Sequence, residues 1–306
     1  MKKIFDIECA DPERLIESFK DLGPSEAITT GHYEVNSECD ARDLDWNHMD
    51  QHHRTYVHNL YGATIRLVRA QNFALTLTQI PFLGFPLMVL ISDVRLRPGL
   101  FYQAFNLLNL VHVHVVIRSL ERIVSGQKRG FRTVDWYIVS HQFFKFLHGW
   151  INRKLSKINH IQNPEDFPLQ EKRAALRSKG YRFDTDDPNF INSNVLKSNI
   201  IYPKLDRSYS LAIDAAKSKK GKHRVSAGPV DFLIELTGES ELSVWLADCP
   251  HEGAPMEAGV ICGDQIQCAW HGLRFGCVKL SPHHKNDYLN CFNLTLENDQ
   301  LIVSQN

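Results

Sequence analysis

Two short clusters of cysteine and histidine constrain the fold of this 306-residue chain more than any other feature. The first cluster is Cys249-x-His251, and the second, after sixteen intervening residues, is Cys268-x-x-His271. Thiolates and imidazoles are ligands for transition metals, and each cluster supplies one of each. Two loops must therefore converge so that two thiolates and two imidazoles face a common metal centre.

Two kinds of metal centre use this set of ligands. Zinc sites commonly pair cysteine with cysteine and histidine with histidine along the chain. A Rieske [2Fe–2S] centre binds one iron through two thiolates and the other through two imidazoles, which come from two loops. The mixed pairs therefore favour the Rieske centre over zinc. Gly253 and Gly272 follow the two pairs, and glycine permits the close backbone approach by which amides can hydrogen-bond cluster sulfurs.

Residues 199–306 resemble the Rieske family. The resemblance implies that a [2Fe–2S] cluster is bound by Cys249, His251, Cys268 and His271. Members of the respiratory-complex branch carry two further cysteines that form a disulfide between the loops, whereas the corresponding positions here are Ala254 and Trp270. The chain therefore resembles the low-potential ferredoxin and oxygenase branch.

A second metal motif ends at His58. It reads Asp50-x-x-His53-x4-His58, within the pattern N-x-M-D-x-x-H-x-T-Y-V-H. This pattern resembles the mononuclear iron motif of Rieske non-heme iron oxygenases, particularly the monooxygenases and O-demethylases. The resemblance implies that His53 and His58 bind Fe(II), and that Asp50 links a Rieske histidine electronically to that iron. The alternative is an ordinary histidine-rich helix end.

The spacing of the two histidines does not suit a regular helix. At 100° per residue His53 and His58 lie ~140° apart, so binding one ion requires a local distortion such as a π-type turn. The resemblance implies a third ligand on the closing helix, where the family pattern fits Glu165 to Glu171, and Asp166 is the candidate. Asp166 could instead be a helix N-cap. The competing ligands are Asp184, Asp186 and Asp187.

The hydrophobic pattern predicts an α+β fold. Four runs rich in β-branched residues predict an antiparallel sheet, namely Ala63–Val68, Ala74–Thr78, Met88–Asp93 and Leu110–Arg118. Apolar residues spaced by three and four predict a long helix over Val134–Leu155. A sheet followed by a long helix indicates a helix-grip, or START-like, domain with a hydrophobic pocket.

A small all-β domain is predicted to follow. Its strands are Val230–Leu236, Leu242–Ala247, Gln265–Cys268 and Leu301–Val303. The aperiodic segment Arg182–Ser198 is the predicted boundary. We therefore expect an N-terminal helical arm over residues 1–35, a START-like domain with the mononuclear iron site over 36–198, and a Rieske domain over 199–306.

Composition limits the partners. Thirty-five basic residues balance thirty-five acidic residues, which does not favour nucleic acid as a partner. Asp6 and Glu8 interrupt any signal peptide, and the most apolar stretch, Pro98–Ile117, contains polar residues. A cytoplasmic protein without a membrane span is therefore expected.

The resemblance implies an oxygenase that uses O2 on a hydrophobic small molecule. Hydroxylation or demethylation is expected, with an aromatic, terpenoid or steroid-like substrate. Electrons would come from a separate NAD(P)H-dependent reductase or ferredoxin, and the family resemblance implies a homo-oligomer, specifically a trimer. The domain order is reversed relative to the family. Two alternatives stay open: a Rieske electron carrier fused to a ligand-binding domain, and a subunit that acts only with a partner oxygenase.

Overall fold

The structure is a computed structural model. It describes residues 14, 17–19, 22–50, 53–58, 64–70, 72–82, 85–187, 200–214, 216, 221–237, 241–281 and 283–305. The chain divides into two compact units. Among the described residues, the first unit extends to Glu171, and the second comprises 172–187 and the residues from Ile200 onward.

Among the described residues, the first unit contains a seven-stranded antiparallel sheet, two short helices and most of a long helix. The strands are β1 (Glu26–Asn36), β2 (Thr64–Ala70), β3 (Phe73–Phe82), β4 (Phe85–Arg97), β5 (Leu100–Leu107), β6 (Val111–Val124) and β7 (Gln127–His141). The helices are α1 (Ala41–Met49), α2 (Arg54–Val57) and α3 (His148–Ser178), and a 3-10 helix covers Gln142–Leu147. The strand order is β1-β7-β6-β5-β4-β3-β2. This is the predicted helix-grip arrangement, in which a long helix follows an antiparallel sheet.

Strand alternation builds the core between the sheet and α3. Val111, Val113, Val115 and Ile117 of β6 are spaced by two and all lie on the buried face. They form one apolar cluster with Ile151 of α3. The sheet therefore presents an apolar face to the long helix.

The helix predicted over Val134–Leu155 is wrong in its first half. β7 continues to His141, and α3 begins only at His148. The apolar spacings of three and four arose because the alternating apolar residues of β7 are followed by the aromatic residues of the 3-10 helix. These aromatic residues do not form a buried helical face, since Phe143 and Phe146 are 73% and 72% exposed. A helical pattern was therefore read across two different elements.

The sequence also missed the edge strand β1. Residues 26–35 were predicted to belong to an N-terminal arm, but they pair with β7 along the whole strand. Polar residues alternate with few buried ones, so β1 lacks the apolar pattern of the inner strands. Its Gly31 lies opposite Trp136, and a Cβ on Gly31 would come within 2.2 Å of the indole ring.

Replacing Gly31 with alanine should destabilise the protein. The added methyl group overlaps Trp136, whose Nε1 donates to Asn152 Oδ1 at 2.7 Å, so the indole cannot move without losing a hydrogen bond. Overpacking of this kind costs about 1–3 kcal/mol. Denaturant unfolding of Gly31→Ala measures the loss, with the exposed neighbour Thr30→Ala as the control. Equal stability of the two variants would contradict the packing argument.

The second unit is built mainly from short strands. These are β8 (Arg182–Phe183), β9 (Ile200–Ile201), β10 (Tyr209–Ala212), β11 (His223–Ala227), β12 (Val230–Thr237), β13 (Glu241–Leu246), β14 (Val260–Cys262), β15 (Gln265–Gln267), β16 (Arg274–Gly276), β17 (Val278–Leu280), β18 (Asn286–Leu289), β19 (Phe292–Glu297) and β20 (Gln300–Gln305). They form sheets ordered β11-β12-β13-β17, β10-β20-β19-β18 and β14-β15-β16, with β8 paired to β9. The predicted small all-β domain is confirmed, with its strands within about two residues of their predicted bounds.

The division between the units differs from the predicted domain boundary. It falls inside α3, after Glu171, rather than in residues 182–198. The last turns of α3 lie with the second unit because their side chains, such as Leu176, belong to its apolar core. The domain ranges given above stay predictions. Among the described residues, no helix is long and apolar enough to cross a membrane.

Candidate functional site

The second unit brings the four predicted cluster ligands together. Cys249 and His251 lie in the loop after β13, and Cys268 and His271 lie in the loop between β15 and β16. All four are buried, at 3% exposure or less. The two Nδ1 atoms of the histidines are 3.2 Å apart, and the two cysteine thiols are in hydrogen-bond contact. The sulfur atoms and the imidazoles therefore converge in pairs, as a [2Fe–2S] centre requires.

The two loops share one backbone design. Gly253 N donates to Cys249 O at 2.8 Å, and Gly272 N donates to Cys268 O at 2.9 Å. Both glycines have positive φ, +82° and +67°, which other residues rarely adopt. The glycines therefore turn each loop back directly after its pair of ligands.

Burial and hydrogen bonding act differently on the two thiols. Burial raises the pKa of Cys249 above its ordinary value. A hydrogen bond from Cys249, followed by the effect of His271, outweighs burial at Cys268 and lowers the pKa of that thiol to about 5. Cys268 is thus the thiol of the pair that more readily forms the thiolate, the form of cysteine that coordinates metal.

A buried ionic network supports the first loop. Arg173, which has no exposed surface, forms an ion pair with Glu252, next to His251. Its guanidinium also contacts Asp186 at 3.2 Å and stacks on the Phe183 ring at 3.8 Å. Breaking a buried ion pair commonly costs about 3–5 kcal/mol, so Arg173 fixes the position of this loop. The sequence did not predict the ion pair of Arg173 and Glu252, because the two residues lie far apart along the chain and such a pairing leaves no local pattern.

The first unit brings His53, His58 and Asp166 together. His53 precedes and His58 follows the single turn of α2. The predicted π-type turn is therefore not the means of convergence, since α1 ends at Met49 and the histidines occupy the two ends of a separate short helix. Their rings are 5.2 Å apart.

Asp166 approaches both histidines from α3. Its Oδ1 lies 3.3 Å from His53 Nε2 and 3.2 Å from His58 Nε2. One possible ligand atom from each residue lies within 4.8 Å of the others, and all three side chains are buried. Asp166 lies inside α3 rather than at a helix N-cap. The competitor Asp186 is held by Arg173 and Arg177 instead.

A further carboxylate sits on the outer side of each histidine. Asp50 Oδ2 lies 3.4 Å from His53 Nδ1, and Glu165 Oε2 lies 2.9 Å from His58 Nδ1. Carboxylates in this position orient a histidine so that its other nitrogen faces a metal. The sequence pattern included Glu165 but assigned it no role.

This set of residues fits a divalent metal ion. Three carboxylates surround two imidazoles in a largely buried space, which leaves negative charge that a cation would balance. Asp166 Oδ1 and His53 Nδ1 are buried without an ordinary hydrogen bond among the described residues. Burial lowers the pKa of His53, but Asp166 and Asp50 outweigh burial and raise it to about 9. Two histidines and one carboxylate are the ligand set typical of non-heme Fe(II).

A cavity of about 120 Å³ adjoins the three residues. Its apolar wall consists of Ile80, Val89, Ile91, Phe105, Val115, Ile117, Val134, Trp136, Leu155 and Ile158. Its polar wall consists of Asn47, His48, His53, Arg54, Gln103, Arg132, Asn159, Gln162, Asn163 and Asp166. The candidate metal site therefore faces a small, largely apolar chamber.

One buried ionic group beside the cavity was not predicted. Asp93, with no exposed surface, lies 3.3 Å from His48 Nε2 and 3.9 Å from Arg54, and it accepts from Gln103 Nε2 at 2.7 Å. The charge on Arg54 is thereby balanced. The sequence contained one sign of this group, an aspartate at the end of the predicted strand Met88–Asp93.

Comparison with known proteins identifies the second unit. Residues 210–293 match the model of the Rieske [2Fe-2S] domain, and this range includes all four converging cysteines and histidines. The C-terminal part of the chain is therefore a Rieske [2Fe-2S] domain. The match covers less than half of the chain.

A curated protein also matches in sequence. The oxygenase component of chloroacetanilide N-alkylformylase from Rhizorhabdus wittichii (strain DC-6 / KACC 16600) is 46% identical over 50 residues. The match spans 15% of this chain and 14% of that protein.

Solved structures similar to this chain share little sequence with it. The di-domain ARO/CYC BexL from the BE-7585A biosynthetic pathway is 8% identical, with a TM-score of 0.42 over 47% of this chain and 50% of that chain. The Zhui aromatase/cyclase from Streptomyces sp. R1128 is 11% identical, with a TM-score of 0.41 over 48% of this chain and 96% of that chain. Norcoclaurine synthase from Thalictrum flavum is 11% identical, with a TM-score of 0.38 over 47% of this chain and 95% of that chain.

Proposed function

We propose that the chain is a Rieske-type non-heme iron oxygenase. The observation that carries this proposal is the convergence of His53 Nε2, His58 Nε2 and an Asp166 oxygen at the wall of an apolar cavity, in a chain with a Rieske domain. Cys249, His251, Cys268 and His271 would hold the cluster, and His53, His58 and Asp166 would hold Fe(II). When bound, the cluster supplies single electrons and the ferrous ion supplies a site for O2 reduction.

The stoichiometry of the proposed reaction defines which other reactants the protein needs. Insertion of one oxygen atom into a C–H bond consumes O2, two electrons and two protons, and it yields a C–OH group and water. The electrons would come from a separate NAD(P)H-dependent reductase or ferredoxin. Demethylation of a methyl ether or amine has the same balance, because the hydroxylated methyl group leaves as formaldehyde.

The residues around the metal site have definable roles in this proposal. Asp50 and Glu165 hold the two imidazoles so that both Nε2 atoms face Asp166. The apolar wall binds the substrate and excludes water. A cavity of about 120 Å³ favours an aromatic substrate over a terpenoid or steroid, because drug-sized ligands need pockets of about 300 Å³ or more.

Isotope incorporation tests the proposed function. Full-length protein with a chemically reduced cluster is supplied with ¹⁸O2 and small single-ring aromatic probes, including methoxybenzenes. We expect an ¹⁸O-labelled product, or formaldehyde from a demethylated probe, and no product from His53→Ala/His58→Ala. Reduction and reoxidation of the cluster without any product from the wild type would favour the electron-carrier alternative. Turnover only after a second oxygenase is added would favour the partner-subunit alternative.

A further inference from the structure

Arg132 is a buried cation that no carboxylate contacts among the described residues. It lies on β7, on the same face as Val134 and Trp136, and it lines the cavity beside the candidate metal site. Only 5% of its surface is exposed. Within the part of the chain that the structure describes, no carboxylate oxygen lies within ion-pair distance of its guanidinium, in contrast to Arg54 with Asp93.

The hydrogen bonds of Arg132 go to neutral acceptors. NH1 donates to Asn163 Oδ1 at 3.1 Å, and NH2 donates to the Leu44 carbonyl at 2.6 Å. The Nε–H donor is buried and has no hydrogen-bond partner among the described residues. An arginine stays protonated in a protein, so this side chain keeps a buried positive charge and an unused N–H group.

Asp166 and Asp45, the two carboxylates whose charges act on Arg132, are in direct contact with other groups. Asp166 contacts His53 and His58, and Asp45 forms an ion pair with Arg95. A buried charge without a direct ion-pair partner is costly, so an anion that is supplied from outside the chain would stabilise Arg132. The cavity is the open space that Arg132 lines.

The cavity limits the size of that anion. Its volume of about 120 Å³ is similar to that of a protein cavity of about 150 Å³ that accommodates benzene. Its apolar wall includes Val115, Ile117 and Phe105. A ligand that fits would therefore combine one aromatic ring with one anionic group.

We propose that Arg132 binds the carboxylate of a single-ring aromatic acid in this cavity. The guanidinium would donate to the carboxylate, and the ring would pack on the apolar wall. As a statement about the substrate, this inference rests on the proposed function, but the binding itself does not depend on turnover. Arg132 is a specificity-determining residue in this scheme.

Calorimetric titration of the full chain tests the inference with three probes: benzoate, its neutral isostere benzamide, and 2-naphthoate. Because ionic hydrogen bonds are roughly twice as strong as neutral ones, we expect benzoate to bind at least about tenfold more tightly than benzamide. The second ring should weaken 2-naphthoate at least about tenfold relative to benzoate.

Variants test whether Arg132 causes the preference for benzoate over benzamide. Arg132→Gln should weaken benzoate at least about tenfold and leave benzamide unchanged, whereas Arg132→Lys should keep part of the preference. Arg129→Gln, three residues earlier on β7 and ion-paired with Glu38, is the matched control and should bind as the wild type does. Thermal unfolding of each variant shows whether it folds.

Three results would overturn the inference: equal affinity of the wild type for benzoate and benzamide, retention of the full preference in folded Arg132→Gln, or no binding of benzoate at about 10 mM. If Arg132→Gln does not fold, the inference is judged from the affinities of the wild type for the three probes and from the benzoate preference of Arg132→Lys. Benzoate binding with no ¹⁸O-labelled product from any aromatic acid would contradict the proposed function and leave the carboxylate site standing.

Discussion

Removing both histidines of the first unit's candidate metal site should lower the iron content from about three to about two atoms per chain, with acid-labile sulfide unchanged at about two. His53 and His58 supply the two nitrogen atoms that face Asp166, so His53→Ala/His58→Ala leaves only one of the three proposed ligands, which is too few to retain the ion. The cluster ligands lie in the second unit and are untouched. The measurement is iron, zinc and sulfide analysis of anaerobically purified protein.

The control for this experiment is His283→Ala/His284→Ala, which removes two exposed histidines of the second unit. That variant should keep the wild-type metal content. Two irons per chain in both the wild type and His53→Ala/His58→Ala would contradict the mononuclear iron site and leave a Rieske electron carrier joined to a ligand-binding domain. Loss of zinc instead of iron would indicate a different metal chemistry.

Replacing Asp50 with asparagine should sharply lower product formation even in protein that is fully loaded with iron. The asparagine side chain keeps the size of the aspartate and an oxygen near His53 Nδ1, but it removes the negative charge, which is 3.4 Å from that nitrogen in the wild type. His53, His58 and Asp166 remain, so iron should still bind, but about ten- to a hundredfold more weakly, as in Glu165→Gln. The resemblance gives Asp50 the electronic link between cluster and iron, and we expect product formation to fall at least about a hundredfold.

A readout other than activity separates this role from a structural one. The reduced cluster of Asp50→Asn should reoxidise at least about a hundredfold more slowly with O2 and substrate, while its spectrum stays unchanged. Glu165→Gln is the matched control, because Glu165 contacts His58 as Asp50 contacts His53. It should weaken iron binding about ten- to a hundredfold without slowing reoxidation in the iron-loaded protein. Unchanged reoxidation in Asp50→Asn would remove Asp50 from the electron path.

The sequence was most informative where ligands lie close together along the chain. Cys249, His251, Cys268 and His271 could be recognised because the chemistry of a Rieske centre fixes residue types within two short loops. His53 and His58 were found in the same way, by the pattern around them. Asp166 lies more than a hundred residues further on, and only the family pattern suggested it.

The residues that the sequence did not reveal act through tertiary contacts. Arg132 and Arg173 are single charged residues in otherwise ordinary segments, and their importance depends on burial that no local pattern shows. β1 was missed because an edge strand needs few apolar residues. The extent of α3 was also missed, since it continues through Pro164 and Pro168, where local rules predict a break. The trimer implied by the resemblance stays a prediction, which light scattering of the purified protein would check.

The carboxylates around His53 and His58 also connect metal supply to protein lifetime. Asp166, Asp50 and Glu165 surround two imidazoles in a largely buried space, and without a metal ion a protonated His53 offsets only part of their negative charge. An ion that binds only the folded chain adds stability according to its free concentration relative to its dissociation constant. Under the proposed function, a cell short of iron would therefore hold less of this protein, because the metal-free chain would unfold more often and be degraded.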